Sequence, residues 1–582
     1  MPFLRRTPSG FLLTCVMLAT SGLASRSPAQ TNTVLPMVNG VVNNYDQGDF
    51  GKLTVWFGYV SFETDRRYIQ YGSNNFYNPE PSIRLRGPVD FFPGVHSAVF
   101  STTFDSNVTG EWRLLGTIAS ANVSTDPDGD GTLSVFGSNS TITHTASRVV
   151  GTTNFELTGG GTLIIADDPF TAPIFENLNG TVRLTGSTLT ASTRFDNGGT
   201  LRFEGGALDT PVLNNTGRVE FVSGTYTLPN LNNRGLLVVS GGEVSSDTAL
   251  ALSSEATLRL AGGKLTVTAL DNTGGHVDLS GGTLVLTTQD LAVDAGGPLG
   301  DNPVVGPGAR VELTTGQTDV ASGHSLTLAA GASLLTQGGQ NAGTVHVAGG
   351  TFESAGRAFT NQASGTFNAT DATLRFTGNG AAGTDDGLQN FGTLNLLNTS
   401  VHGDVRSPAG STINAGGSVT FDGLVSGAGH FTGGGTVTFS GGYSPGDSPA
   451  LVPHAGDLVF APGNMLTLEI GGLARGTSYD ALDVSGHLTF GGTLALAFYG
   501  GFSAGDLHAG DTFDFFNWGS QSGAFGTLDL PALAGGLSWD TSQLYTSGNL
   551  SISAVPEPST YGVLAGCACL GFAVWRRRAR LR

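Results

Sequence analysis

The sequence predicts an all-β protein: a right-handed parallel β-helix, or solenoid, with small flanking β regions and one C-terminal transmembrane helix. Three observations predict it. Glycines recur at 180, 199, 217 and 235, spaced 19, 18 and 18 residues apart. Between them lie short runs of alternating apolar and polar side chains, such as Thr200-Leu201-Arg202-Phe203 and Arg218-Val219-Glu220-Phe221. Such alternation gives a strand one buried and one wet face. Long helical patterns are absent from the repeats. A repeat of about 20 residues with tolerant turns describes stacked coils; hairpins of a β-sandwich or meander are the alternative.

Residues 1–29 have the order of a secretory signal. Arg5 and Arg6 precede the apolar run Phe11 to Leu18, and small residues follow, with candidate cleavage after Ala24 or Ala29. Residues 30–150 hold most of the early aromatics, including Trp56, Phe57, Tyr59, Tyr77, Phe91 and Trp112, with prolines at 79, 81, 88 and 93. They read as a small β domain or a cap over the first coil, whose edge would otherwise be open. Aromatics of this kind serve core packing more often than a carbohydrate platform.

Residues 151–440 are the repeat region, in which Asn and Gly at the corners suggest positive-φ turns. Residues 441–553 read as a C-terminal β module closing the solenoid. It opens with Tyr443-Ser444-Pro445-Gly446-Asp447-Ser448-Pro449 and contains Tyr479-Asp480 and Asp483, which suit the orientation of a turn.

Charge and cysteine usage narrow the function. Residues 30–558 carry 19 basic against 46 acidic groups, a net of −27. That balance argues against nucleic acid or anionic lipid as a partner. The three cysteines, Cys15, Cys567 and Cys569, all lie in the terminal apolar segments. The region between them therefore relies on packing and backbone pairing, without disulfides.

Residues 554–582 join Val555, Pro556, Glu557 and Pro558 to an uncharged stretch ending at Trp575, then to Arg576, Arg577 and Arg578. A helix over Thr560 to Trp575 would be about 24 Å long, against a hydrocarbon core of about 30 Å. With bilayer thinning it would serve as a span, its arginines on the cytoplasmic side. This segment resembles the PEP-CTERM protein-sorting signal. The resemblance implies recognition at Pro556, Glu557 and Pro558 by an exosortase-type processing enzyme, with the arginines as a basic stop. It further implies passage through secretion machinery, an inner-membrane-anchored intermediate, and final location at the cell surface or outside the cell, beside exopolysaccharide or matrix of Gram-negative bacteria. The Gly/Asn/Thr-rich middle is similar in composition to autotransporter passenger domains.

Candidate chemistry is sparse. Asp126, Asp128 and Asp130 alternate around Gly129 and could present oxygens to Ca²⁺. The EF-hand pattern fails, because its twelfth position is Gly137 rather than a glutamate. A solvated turn is the plainer use of the same residues. The ten histidines are dispersed, with His276, His346 and His430 inside strand patterns, and no catalytic or cofactor-binding residue is nominated. The reading is an exported structural or adhesive protein rather than an enzyme. A polysaccharide-binding or polysaccharide-degrading protein on the same scaffold is the alternative.

Overall fold

The computed structural model describes residues 169–228, 230–378, 387–555 and 558–580. Before these it describes shorter stretches, chiefly strands, between residues 14 and 166. The leader lies outside the described residues except for Thr14–Cys15, which pairs antiparallel with Gln30–Thr31. The chain divides into two compact units, the first running essentially to residue 314 and the second from 315, with short exchanges between 290 and 305.

The first unit begins with antiparallel strands. Lys52–Ser61 lies between Val34–Asn43 and Gly94–Asp105, and Gly110–Leu114 lies between Asn75–Asn78 and Thr117–Ala121. Phe57, Tyr59, Tyr77, Phe91 and Trp112 pack as one buried cluster. The Trp112 indole donates to Asn75 Oδ1 at 2.9 Å, and the Asn75 amide donates to the Pro88 carbonyl at 2.8 Å. These aromatics form a core, whereas Tyr68 and Phe92 are exposed. Pairing changes sense at Leu133–Phe136, which is antiparallel to Thr117–Ala121 and parallel to Phe155–Thr158.

From there the coils stack in parallel. Thr162–Ile165, Thr181–Leu184, Thr200–Phe203, Arg218–Phe221, Leu236–Val239 and Thr257–Val267 pair in succession. Their inward residues Leu163, Val182, Leu201, Val219, Leu237 and Leu258 form one buried rank, and Phe203 stacks on Phe221 at 4.4 Å. The winding is right-handed, the sense that parallel crossover connections adopt.

Gly205, Gly224 and Gly242 do take the positive φ expected of corner glycines, but three others are required for a different reason. Gly199, Gly217 and Gly235 are not among the residues with positive φ. A Cβ on Gly217 would instead lie 2.1 Å from the Gly199 carbonyl, and one on Gly235 would lie 2.2 Å from the Gly217 carbonyl. Consecutive coils approach too closely there for any side chain.

The second unit has three short strands per coil. Thr344–Ala348, Thr351–Ala355 and Phe359–Asn361 make one coil; Thr366–Thr370, Thr373–Thr377 and Leu388–Asn390 make the next. Val345, Phe367, Leu394, Ile413 and Phe431 are stacked inward. Parallel pairing continues through Ala481–Phe490 to Phe516–Gly523, and the unit ends in the antiparallel strands Thr512–Asp514, Leu537–Asp540 and Asn549–Ala554.

A helix does form over Pro558–Arg578, but no helix among the described residues is long and apolar enough to cross a membrane. This overturns the expected C-terminal transmembrane helix and, with it, the inner-membrane-anchored intermediate. The physical reason lies in the helix's own composition. Arg576, Arg577 and Arg578 take up its last turn; Gly562, Gly566 and Gly571 dilute the apolar stretch, whose length of about 24 Å already falls short of about 30 Å.

Candidate functional site

Parallel stacking converts each repeated residue into a rank running from coil to coil. Inside the first unit, the Asn177 amide donates to Asn197 Oδ1 at 2.7 Å, Asn197 to Asn215 at 2.8 Å, and Asn215 to Asn233 at 2.7 Å. All four asparagines are buried. A second ladder in the other unit links Asn341 to Asn361 and Asn361 to Asn390, each at 2.8 Å, and ends on Ser407 Oγ at 3.1 Å. Buried amides are tolerated because each meets a partner. Asn197, Asn215, Asn233, Asn341 and Asn390 each stand two residues before a corner glycine. That recurrence was the available signal, and reading these asparagines as turn formers missed it.

Outward ranks differ between the units. In the first, Arg183, Arg202 and Arg218 interleave with Glu204 and Glu220: Arg183 reaches Glu204 at 2.6 Å, and Glu220 takes Arg202 at 2.9 Å and Arg218 at 3.1 Å. Arg202 also pairs with Glu204. Hydrogen bonding from Arg183 holds the Glu204 carboxyl below its ordinary range, against the opposing effect of burial.

In the second unit, one rank runs Ser325, Thr344, Thr366, Thr393, Thr412 and His430, and the rank beside it runs Thr327, His346, Asn368, Asn395, Asn414 and Thr432. Asn414 donates to Asn395 at 3.1 Å, and Asn395 donates to Asn368 at 2.8 Å. The strip then reaches a shallow trough of about 620 Å³ whose lining includes His430, Thr432, Ala455, Asp483, Ser485 and Asn517. Asp483 sits opposite Asn517 in the register and accepts its amide at 2.9 Å and the Arg475 guanidinium at 2.7 Å. Burial raises its pKa, but the Arg475 and Asn517 hydrogen bonds prevail and keep it low.

Beneath this end of the strip lies a buried polar group of three. Tyr443 Oη and His454 Nε2 are 2.9 Å apart, and burial pushes the His454 pKa down to about 3, so its ring is neutral. Asp480 accepts the backbone N–H groups of Ala450 at 2.8 Å and Glu469 at 2.7 Å. Burial lifts its pKa to about 7 despite both bonds. Asp480 therefore ties the turn after Tyr443 to the neighbouring strand, the orienting role its sequence context suggested.

The residues nominated from sequence are scattered. Asp126, Asp128 and Asp130 lie outside the described residues, as do Pro556 and Glu557. Among the described residues no group of three or more His, Cys, Asp or Glu could hold a metal ion. Val555 is exposed and donates its N–H to the Gly536 carbonyl at 2.8 Å. Pro558 begins the C-terminal helix, and Arg576, Arg577 and Arg578 are exposed in its last turn. His276, His346 and His430 face solvent. No protein-family model matches the chain, and no curated protein matches its sequence.

The β-solenoid is a scaffold consistent with an extracellular structural, adhesive or carbohydrate-binding protein.

Proposed function

We propose that the chain is an exported structural or adhesive protein whose solenoid presents ranks of polar side chains to material outside the cell. The observation that supports this reading most is the pair of buried asparagine ladders. They tie coil to coil in a region without cysteine, as suits an oxidising exterior where no disulfide is used. The outer faces are left free for contact. The reading includes export through secretion machinery and processing near Val555 by an exosortase-type enzyme, and it assigns the chain no catalytic role and no nucleic-acid partner.

Antibody raised against residues 169–555 should label intact cells, and the mature protein should lack Arg576, Arg577 and Arg578 by mass. Labelling only after cell lysis would sink the export reading; an intact arginine tail on surface-located protein would sink the processing. Incubation with polysaccharide followed by product analysis tests the absence of catalysis, since shortened chains would overturn it.

A further inference from the structure

The two outward ranks of the second unit form a strip without charged side chains in an acidic chain. From Ser325 and Thr327 to Thr412 and Asn414, its outward residues are serine, threonine, asparagine and one histidine. No carboxylate or guanidinium stands in these ranks over five successive coils. The asparagines are already hydrogen-bonded to one another, so their orientation is fixed before any ligand arrives.

The strip then opens into the trough. Its floor is low because the short residues Ala455, Ser485 and Gly519 follow Thr432 in succession, while Pro453, Asp483 and Asn517 follow His430 in the other rank as a wall. Gly519 cannot carry a side chain, since a Cβ there would lie 2.6 Å from the Ser485 carbonyl. The Arg475 guanidinium and the Asn517 amide hold the Asp483 carboxylate in place.

We infer that this trough, with the uncharged strip leading to it, binds a neutral glycan chain lying across the strands. Three features select that ligand. Donors and acceptors repeat at the coil spacing of about 4.8 Å, and an extended β-linked hexose chain advances by nearly that distance per sugar. Hydroxyl and amide groups in fixed positions suit neutral polyols, whose binding needs oriented hydrogen bonds rather than charge. The Asp483 carboxylate, paired with Arg475, keeps acceptor capacity for sugar hydroxyls, and no lysine or arginine is among the trough's lining residues to favour an anion. The inference depends on the adhesive reading only for its setting. Surface labelling without glycan binding would overturn the track alone, and glycan binding without surface labelling would overturn the display alone.

The test is calorimetric titration of the full chain with cellotetraose, cellohexaose, chitotetraose, chitohexaose and polygalacturonate. At least one neutral hexaose should bind, and tighter than its shorter homologue. Ala455→Trp fills the floor from a half-exposed position, and Thr432→Trp does so from the neighbouring strand. Each should weaken binding at least tenfold with an unchanged thermal midpoint. Asp483→Ala should weaken it as well. Failure of both hexaoses to bind, a preference for polygalacturonate, or equal binding by the wild type and both folded tryptophan variants would overturn the inference.

Discussion

The two units use one interior and two exteriors. Each stacks aliphatic and phenylalanine side chains inward and runs an asparagine ladder beside them. Outside, the first unit alternates arginine with glutamate, whereas the corresponding strands of the second carry threonine and asparagine. Inward positions must satisfy packing and burial, which leave few residue types open. Outward positions answer only to lateral neighbours about 4.8 Å away, so two surfaces of different chemistry rest on the same interior.

The largest effect should come from breaking a ladder. Asn215→Ala leaves Asn233 Oδ1 without its donor, while Asn197 Nδ2 loses one acceptor and keeps the Arg218 carbonyl at 3.0 Å. The cost should be about 3 kcal/mol, since one buried group left unpaired costs about 1–3 kcal/mol and the truncated side chain also leaves a cavity. Asn361→Ala should cost a similar amount in the second unit. Denaturant unfolding measures both, and a loss in one unit only would show that the interiors are not equivalent.

Coil contact comes next. Gly217→Ala drives a Cβ into the Gly199 carbonyl and should cost about 2 kcal/mol, within the usual range for overpacking. Gly434→Ala, where nothing lies within 4 Å, should change stability by less than about 0.5 kcal/mol.

Two groups, one in each unit, should also respond to pH in opposite senses. Asp480 has a folded pKa raised to about 7 from 3.8, so its native state holds a proton that the unfolded chain releases first. Stability from this group is complete below about pH 4 and is lost as pH rises through about 7. Glu204 has a lowered folded pKa, so its contribution is present above its ordinary value of 4.5 and is lost in acid below it. Unfolding midpoints across pH 3–8 should show Asp480→Asn flattening the upper limb and Glu204→Gln the lower. A variant that altered the other limb would refute the assignment.

Among the changes that break a named contact, those at the surface ion pairs should have the smallest effect. Arg202→Ala should cost about 0.5–1 kcal/mol at low salt, less at high salt, and an equal loss at both would show that the arginine acts by packing.

The strands of the repeats were legible because their alternation is governed by the pleat: Leu201 and Phe203 had to face one way, Arg202 the other. The spacing of Gly199, Gly217 and Gly235 was legible too, but its cause was not. One sequence does not distinguish a glycine chosen for positive φ from one chosen for backbone approach, since both exclude Cβ. The asparagine ladders and the uncharged strip depend on register between coils 18 to 29 residues apart. Local pattern does not encode that register. The C-terminal helix was legible as a helix, whereas its membrane span was not upheld, because the flanking arginines and proline suggested a topology that its short apolar stretch does not supply.

The first ladder has a direction. The amides of Asn177, Asn197 and Asn215 each donate toward the higher-numbered coil, so Asn177 Oδ1 at one end and Asn233 Nδ2 at the other have no partner among the described residues. Such a chain is head-to-tail, and its two unmatched ends remain two whatever its number of links. Duplicating one whole coil, corner asparagine included, adds a link and leaves the ends unchanged; a coil lacking the asparagine cuts the chain in two and doubles the unmatched groups. Gene duplication can therefore lengthen this protein in whole coils without added penalty, while frame-breaking insertions are discouraged by the interior itself.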